Sequence, residues 1–215
     1  MDEQGLIALF YDFETTGLPD WSQPSEAPQQ PHIVEVGAQL VELATNKVIQ
    51  TLDVIVRPQG WIIPDEVAEL HGITTERALD VGIPEELAVE MLFEMWRPSR
   101  PLLRIGHNEP FDARIMRIGL MRYFSEELAD LWKAGRAECT QKIATPIMKL
   151  PPTEKMLAVG RKHSKSANLG EAYEFITGQP LAGAHNALVD VEAARTVYFG
   201  FRAMLRPGIG QEVAA

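Results

Sequence analysis

The segment LIALFYDFETTGLP, residues 6–19, predicts a central β-strand that carries charge at its end. Its first half is a short apolar run rich in Leu, Ile and Phe, and it ends at a polar TTG turn, which is typical of a strand buried in a sheet. Side chains alternate between the two faces of a strand, so Asp12 and Glu14 point the same way while Phe13 packs on the other side. Two carboxylates are therefore held next to each other at the end of a core strand.

The Asp12–Glu14 pair needs a neutralising partner if it is buried. Partly desolvated like charges raise each other's pKa or destabilise the strand end. Hard divalent cations, which bind through oxygen ligands, would neutralise both groups. An isolated D-x-E is also what a strand shows where it runs out into solvent, so the choice between these interpretations depends on other segments.

A second segment, GHNEPFDARIM at residues 106–116, follows another apolar run, PLLRI. Pro110 lies where a first helical turn begins, and Phe111 and Ile115 then recur at helical spacing. Asp112 is therefore expected in the first turn of a helix that starts at the end of a strand. The helix dipole alone would also favour an acidic residue there.

A third segment, AHNALVD at residues 184–190, opens a long amphipathic stretch. Positions five apart on a helix do not share a face, so His185 and Asp190 can meet only if His185 precedes the helix or lies in its first turn. A histidine on such a loop would lie over cations that Asp190 holds.

Together these segments resemble the DEDDh family of 3′ to 5′ exonucleases, which has the ribonuclease H-like fold. The family's first motif, D-x-E with T-x-G, is matched by Asp12, Glu14, Thr16 and Gly17. Its second motif, H-N-x-x-F-D, is matched by His107, Asn108, Phe111 and Asp112. Its third motif, H-x-x-x-x-D, is matched by His185 and Asp190. Shorter matches are HGIT at residues 71–74, C-T at residues 139–140 and N-L-x-E-x-Y at residues 168–173. The similarity spans residues 6–198. Within the family, the chain looks most like the proofreading subunit of bacterial replicative polymerases and its stand-alone relatives.

The resemblance implies hydrolysis of phosphodiester bonds from the 3′ end of single-stranded or unpaired DNA, with release of nucleoside 5′-monophosphates. Two divalent cations, Mg²⁺ or Mn²⁺, about 3.5–4 Å apart would stabilise the charge that develops around phosphorus. Asp12 is expected to bridge both ions, Glu14 and Asp190 to complete the site on the nucleophile's side, and Asp112 to act on the other ion, largely through water. His185 is expected to be the general base.

The resemblance also implies contacts to the substrate. Thr15 and Thr16 are expected to contact the terminal 3′ hydroxyl, and Leu18 to enter between the last two bases. The other expected substrate contacts are His71, Asn108, Phe111, Arg161 and Lys162. Structural alternatives stay open: Phe111 as core, Leu18 as an ordinary loop residue, His71 as a satisfied polar cap, and the basic run at residues 161–165 as a solvated loop. Stacking tolerates every base, so broad sequence specificity is expected.

Pattern and composition predict one α/β domain over residues 1–215, with its core at about 6–200 and a short frayed tail at residues 209–215. Residues 32–42 and 47–58 are expected to form, with the first strand, an antiparallel meander in a mixed sheet that also has parallel strands and is flanked by helices. Residues 18–31 are expected to form an extended loop. Helices are expected at residues 64–72, 84–96, 111–124, 125–133 and 168–177, and from residue 185 onward.

Composition limits the class of protein further. The chain has 215 residues, of which 46% are hydrophobic, and a single cysteine, which excludes an intrachain disulfide. No secretory signal or membrane span is apparent, so a cytoplasmic location is expected. The net charge of −10 argues against a broad basic surface, although two divalent cations would bring it to about −6. Weak, salt-sensitive binding to single-stranded ends is expected.

Three alternatives remain at this point. A 3′ RNA exonuclease of the ribonuclease T or oligoribonuclease type would share the same ligands, because only contacts to the 2′ hydroxyl separate the two. A non-catalytic nucleic-acid-binding or protein-binding module and a purely structural metal site are the others. The expected partners are single-stranded DNA 3′ ends, with RNA as the alternative, and a DNA polymerase or repair protein. The oligomeric state and the biological pathway are open.

Overall fold

The computed structural model describes residues 6–97 and 102–205. Its strands are β1 (Ile7–Thr15), β2 (Ile33–Glu42), β3 (Lys47–Arg57), β4 (Ile83–Pro84), β5 (Leu103–Gly106) and β6 (Ala137–Cys139). Its helices are α1 (Asp65–His71), α2 (Thr75–Val81), α3 (Glu85–Trp96), α4 (Glu109–Tyr123), α5 (Glu126–Ala134), α6 (Thr140–Met148), α7 (Glu154–Ala158), α8 (Leu169–Thr177) and α9 (Ala187–Leu205). The expected tail at residues 209–215 and the segment at residues 98–101 lie outside the described residues.

The described strands form one mixed sheet in the order β4-β3-β2-β1-β5-β6. β1, β2 and β3 make an antiparallel meander, whereas β5 pairs in parallel with β1, and β6 in parallel with β5. The predicted meander, the parallel strands and the central place of β1 are therefore confirmed.

Alternation along β1 divides the core into two layers. Leu9, Tyr11 and Phe13 face the larger layer, which contains buried residues of α3, α4 and α5. Ala8 and Phe10 face the opposite layer, with side chains of α9. The even-numbered residues of β1 therefore point toward α9, and this is the face on which Asp12 and Glu14 lie.

Helix α9 approaches the sheet closely at its first turn. A Cβ atom added to Gly37 on β2 would lie 2.4 Å from the carbonyl carbon of Ala187, closer than side chains tolerate. Glycine at this position lets the start of α9 rest directly on β2, beside the end of β1.

Several short elements were not predicted from the sequence. They are α2, α6, α7, β4 and β6, and each is nine residues or shorter. Helix α6 contains β-branched residues and an internal proline, Pro146, so its local helix propensity is low. The predicted helices match their observed counterparts, including the Asn168–Glu171 capping box of α8. No helix within the described residues has the length and apolar character needed to cross a membrane.

Candidate active site

The end of β1 carries two carboxyl groups, Asp12 and Glu14, in surroundings that disfavour their ionised forms. Burial raises the pKa of Asp12 well above its ordinary value, and Asp112, Asp190 and Glu14 raise it further by repulsion. Burial also raises the pKa of Glu14 to about 8, with added repulsion from Asp190 and Glu35. The prediction that both side chains share a face, opposite Phe13, is confirmed.

The turn from β5 into α4 brings Asp112 against β1. Asn108 has a left-handed backbone, with φ of 64°, and Pro110 lies in the first turn of α4. Asp112 is buried, and its Oδ1 accepts a hydrogen bond from the backbone N–H of Phe13 at 3.2 Å. Burial raises the pKa of Asp112 well above its ordinary value. The helix N-terminus is thus fixed beside the carboxylates of β1.

The third part of the site is the turn into α9. His185 has a φ of 67° and precedes the helix, as the sequence spacing predicted. The backbone N–H of His185 donates to Oδ2 of Asp190 at 3.2 Å, whereas Oδ1 of Asp190 is buried without a hydrogen-bond partner among the described residues. Ligand atoms of Glu14, His185 and Asp190 all lie within 4.8 Å of one another.

The donor set of this site suits a hard divalent cation. Four carboxylates supply oxygen ligands, which Mg²⁺ and Mn²⁺ prefer. The unpartnered Oδ1 of Asp190 and the raised pKa values of the carboxylates both indicate negative charge that the protein itself does not neutralise. Glu14 and Asp190 could hold one ion with the His185 ring beside it, and Asp12 and Asp112 lie next to them.

The TTG turn after β1 is fixed to the start of β2. Thr15 Oγ1 donates to the carbonyl of Gly17 at 2.8 Å. The N–H of Thr16 donates to the carbonyl of His32, and Thr16 Oγ1 accepts from the N–H of His32, both at 2.9 Å. Leu18, directly after this turn, is 83% exposed, so little of its side chain is covered by the described residues.

His71, at the end of α1, contributes both to the fold and to the site's surroundings. Its Nδ1 accepts a hydrogen bond from the N–H of Ile73 at 3.1 Å, while its Nε2 is buried with no partner in the described part of the chain. Burial lowers the pKa of His71, and the charge of His185 lowers it further. Phe111, another expected substrate contact, is partly buried against the larger core layer.

The basic residues near the motifs differ in whether other groups of the protein already bind their side chains. Arg161 and Lys162 are exposed on the loop between α7 and α8, whereas nearby Lys165 forms an ion pair with Glu171. The arginines that follow Asp112 are held by protein groups: Arg114 by the Gln23 carbonyl, Arg117 by Asp130, and Arg122 by Glu85 and the carbonyls of Gln30 and Pro31.

Two polar residues near the site, Glu35 and His107, make contacts that the sequence did not predict. Glu35 on β2 is 3% exposed, lies opposite Glu14 in the sheet, and binds the start of α9. Its proximity follows from the strand register, which the sequence pattern alone does not set. His107 bridges Thr140 Oγ1 and the carbonyl of Ala167 at 2.9 and 3.0 Å, so it links β5 to α6 and the loop before α8.

Comparison with known proteins assigns the family. A family profile described as exonuclease matches residues 9–198. The chain belongs to this exonuclease family. Among proteins with curated descriptions, none matches the chain by sequence.

Solved structures of exonuclease I have a similar fold, which is ribonuclease H-like. One such structure superposes with a TM-score of 0.69 at 18% identity, over 92% of this chain and 41% of that chain. Exonuclease I from Methylocaldum szegediense gives 0.69 at 19% identity, over 93% and 41%. The E. coli exonuclease I complex with a dA16 oligonucleotide gives 0.66 at 17% identity, over 92% and 41%. The chain thus spans about two fifths of the length of these proteins.

Proposed function

We propose that this protein is a 3′–5′ exonuclease that removes nucleoside 5′-monophosphates from the 3′ end of single-stranded or unpaired DNA. The observation that carries the proposal is the convergence of four carboxylates and a loop histidine from three chain segments. Membership of the exonuclease family supports the class of reaction. We propose DNA and not RNA as the substrate because structures of E. coli exonuclease I, which has a similar fold, contain dA16 or dT13 oligonucleotides.

The site residues divide into ligands and a base. Asp12, Glu14, Asp112 and Asp190 would hold two divalent cations, Mg²⁺ or Mn²⁺. When bound, such ions supply positive charge that stabilises the developing negative charge of the scissile phosphate. His185 lies on the exposed turn before α9, where its side chain is accessible to solvent and to substrate. Its role is to accept the proton that the attacking water loses.

The TTG turn and its neighbours would hold the terminal nucleotide. The turn is fixed to β2 through Thr16 and His32, so the backbone that meets the 3′ hydroxyl is preorganised. The exposed Leu18 side chain would lie between the last two bases, where its apolar surface would be removed from water. The Nε2 of His71 is buried without a partner among the described residues, so a polar group of the substrate would reach it only after the side chains around it rearrange.

The exposed residues Asn108, Arg161 and Lys162 would contact the phosphate backbone nearby. Phe111 would line the pocket with the part of its ring that the core leaves accessible. These contacts are few, which agrees with the chain's net charge of −10 and with weak, salt-sensitive binding.

The test is a nuclease assay on 3′-labelled single-stranded DNA, single-stranded RNA, and matched and mismatched DNA duplexes. We expect nucleotide release from single-stranded and mismatched DNA with Mg²⁺ or Mn²⁺, and none with a chelator. Asp12→Asn should abolish release, whereas Asp80→Asn, which neutralises an exposed carboxylate on α2, should retain it. Release that persists in chelator, or a protein that binds DNA without cleaving it, would contradict the proposal. Faster cleavage of RNA would identify the RNA exonuclease instead.

A further inference from the structure

Glu35 is a buried carboxylate that joins β2 to the turn carrying His185. Its Oε2 accepts a hydrogen bond from the backbone N–H of Ala187 at 2.7 Å. Its Oε1 accepts from Nδ2 of Asn186 at 2.9 Å. Both donors directly follow His185 in the chain, so one side chain on the sheet holds the backbone and the side chain of this turn.

Burying Glu35 here carries an energetic cost. Burial raises its pKa, and its charge lies close enough to Asp12 and Glu14 to raise theirs. A neutral residue would avoid this repulsion, so the two hydrogen bonds to the turn have to offset it. Because Glu35 is 3% exposed and the start of α9 engages both of its oxygens, the residue acts through that segment and not by contact with the substrate.

The Asn186 side chain links Glu35 to α9, and only one orientation of its amide group makes both hydrogen bonds. Its Nδ2 donates to Glu35, while its Oδ1 accepts from the N–H of Val189 at 3.1 Å and so caps α9. Rotating the amide by 180° would break both contacts. The close approach of α9 to Gly37 sets the distance between this turn and β2, and the Glu35 contacts set the orientation of the turn.

We propose that Glu35 is a positioning residue, which sets His185 and Asp190 relative to the carboxylates of β1. The inference rests on the proposed function and extends it to a residue outside the recognised motifs. His185 precedes the two residues that Glu35 holds, and Asp190 bonds back to the His185 N–H. Losing the Glu35 contacts therefore moves a base and a ligand together.

The donor and acceptor pattern provides a matched test. In Glu35→Gln, the carbonyl can still accept from Ala187, but the new amide N–H₂ then faces Nδ2 of Asn186, and two donors oppose each other. In Asn186→Asp, two carboxylates oppose each other. The double variant restores a donor–acceptor pair, because the new amide on β2 would donate to one oxygen of the new carboxylate on the turn. The other oxygen of that carboxylate would still accept from the N–H of Val189 and cap α9.

The four proteins, wild type and the three variants, should be compared by steady-state cleavage of 3′-labelled single-stranded DNA with Mn²⁺ and by calorimetric Mn²⁺ binding. Each single variant should lower kcat by about 10- to 100-fold, the range seen when residues that orient ligands are changed. KM should change little, since Glu35 does not contact the substrate. The double variant should recover most of kcat and of the Mn²⁺ affinity.

Two results would overturn the inference: wild-type kcat and Mn²⁺ affinity in Glu35→Gln, or a double variant as impaired as the two single changes combined. If Glu35→Gln does not fold, Asn186→Ala serves in the same comparison. It removes both the hydrogen bond to Glu35 and the cap on the Val189 N–H, and it introduces no repulsion. Wild-type protein without nuclease activity would refute the proposed function. The role of Glu35 would then be judged from Mn²⁺ affinity and from hydrogen exchange of the Ala187 amide.

Discussion

The metal-free protein should lose stability as pH rises, because Glu14 is buried among other carboxylates. Its pKa is raised from 4.5 to about 8 by burial, and then by Asp190 and Glu35. The folded protein therefore keeps a proton on Glu14 that the unfolded chain releases above about pH 4.5. The stability that depends on this proton is fully present below about pH 4.5 and is lost as pH rises through about 8.

The size of the effect follows from the shift. Each tenfold change in an acid constant corresponds to about 1.4 kcal/mol, so a rise from 4.5 to about 8 amounts to roughly 5 kcal/mol at full ionisation. Between about pH 5 and pH 8, the part that is lost is roughly 3–4 kcal/mol. Glu14→Gln removes the ionisation and keeps the shape, so at pH 8 the metal-free variant should be more stable than wild type by roughly 2–4 kcal/mol.

The assay is urea unfolding in chelator at several pH values, for wild type, Glu14→Gln and Glu86→Gln, the last being an exposed control on α3. The free energy of unfolding should fall with pH in wild type and in the control, and less steeply in Glu14→Gln. Mn²⁺ should stabilise wild type more at pH 8 than at pH 5, since the ligands must be ionised to bind it. An equal slope in wild type and Glu14→Gln would refute the reasoning.

Three further predictions concern turnover and binding. His185→Ala should lower kcat by about 10²–10⁴-fold with Mn²⁺ binding mostly intact by calorimetry, and near-normal turnover would remove His185 from the mechanism. Leu18→Ala should raise KM for single-stranded DNA by about 10- to 100-fold at nearly unchanged kcat, because a buried leucine side chain contributes roughly 1.5–3 kcal/mol. Replacing Arg161 and Lys162 with Gln should flatten the salt dependence of DNA binding, by about 0.7 in log–log slope per lost contact, whereas Lys133→Gln should not.

The parts of the site that could be predicted from the sequence depend on local geometry. Strand alternation alone places Asp12 and Glu14 on one face, and helix spacing alone requires His185 either to precede α9 or to lie in its first turn. Pro110 marks the first turn of α4 and so locates Asp112. Each of these signals lies within a few residues of the side chain that it positions, and the structure bears out all of them.

The parts that could not be predicted depend on contacts between distant segments. Glu35 becomes part of the site only because β2 pairs with β1 in a register that sets it opposite Glu14, and nothing within β2 itself specifies that register. Arg122 is a basic residue in α4, the helix that also carries Asp112, and its sequence position is compatible with a phosphate contact. The fold instead uses it to hold Glu85 and the loop that precedes β2. The sequence pattern identifies the charge but not its partner.

The charge distribution around the site links substrate binding to metal binding. The arginines that follow Asp112 are bound by other groups of the protein, whereas Arg161 and Lys162, which are expected to contact phosphate, are exposed. Without divalent ions, the clustered carboxylates would repel a phosphate backbone, and two basic side chains on one loop would not compensate for four acids. Affinity for DNA should therefore depend on the same cations as the chemistry does, so that a chelator weakens binding as well as stopping cleavage.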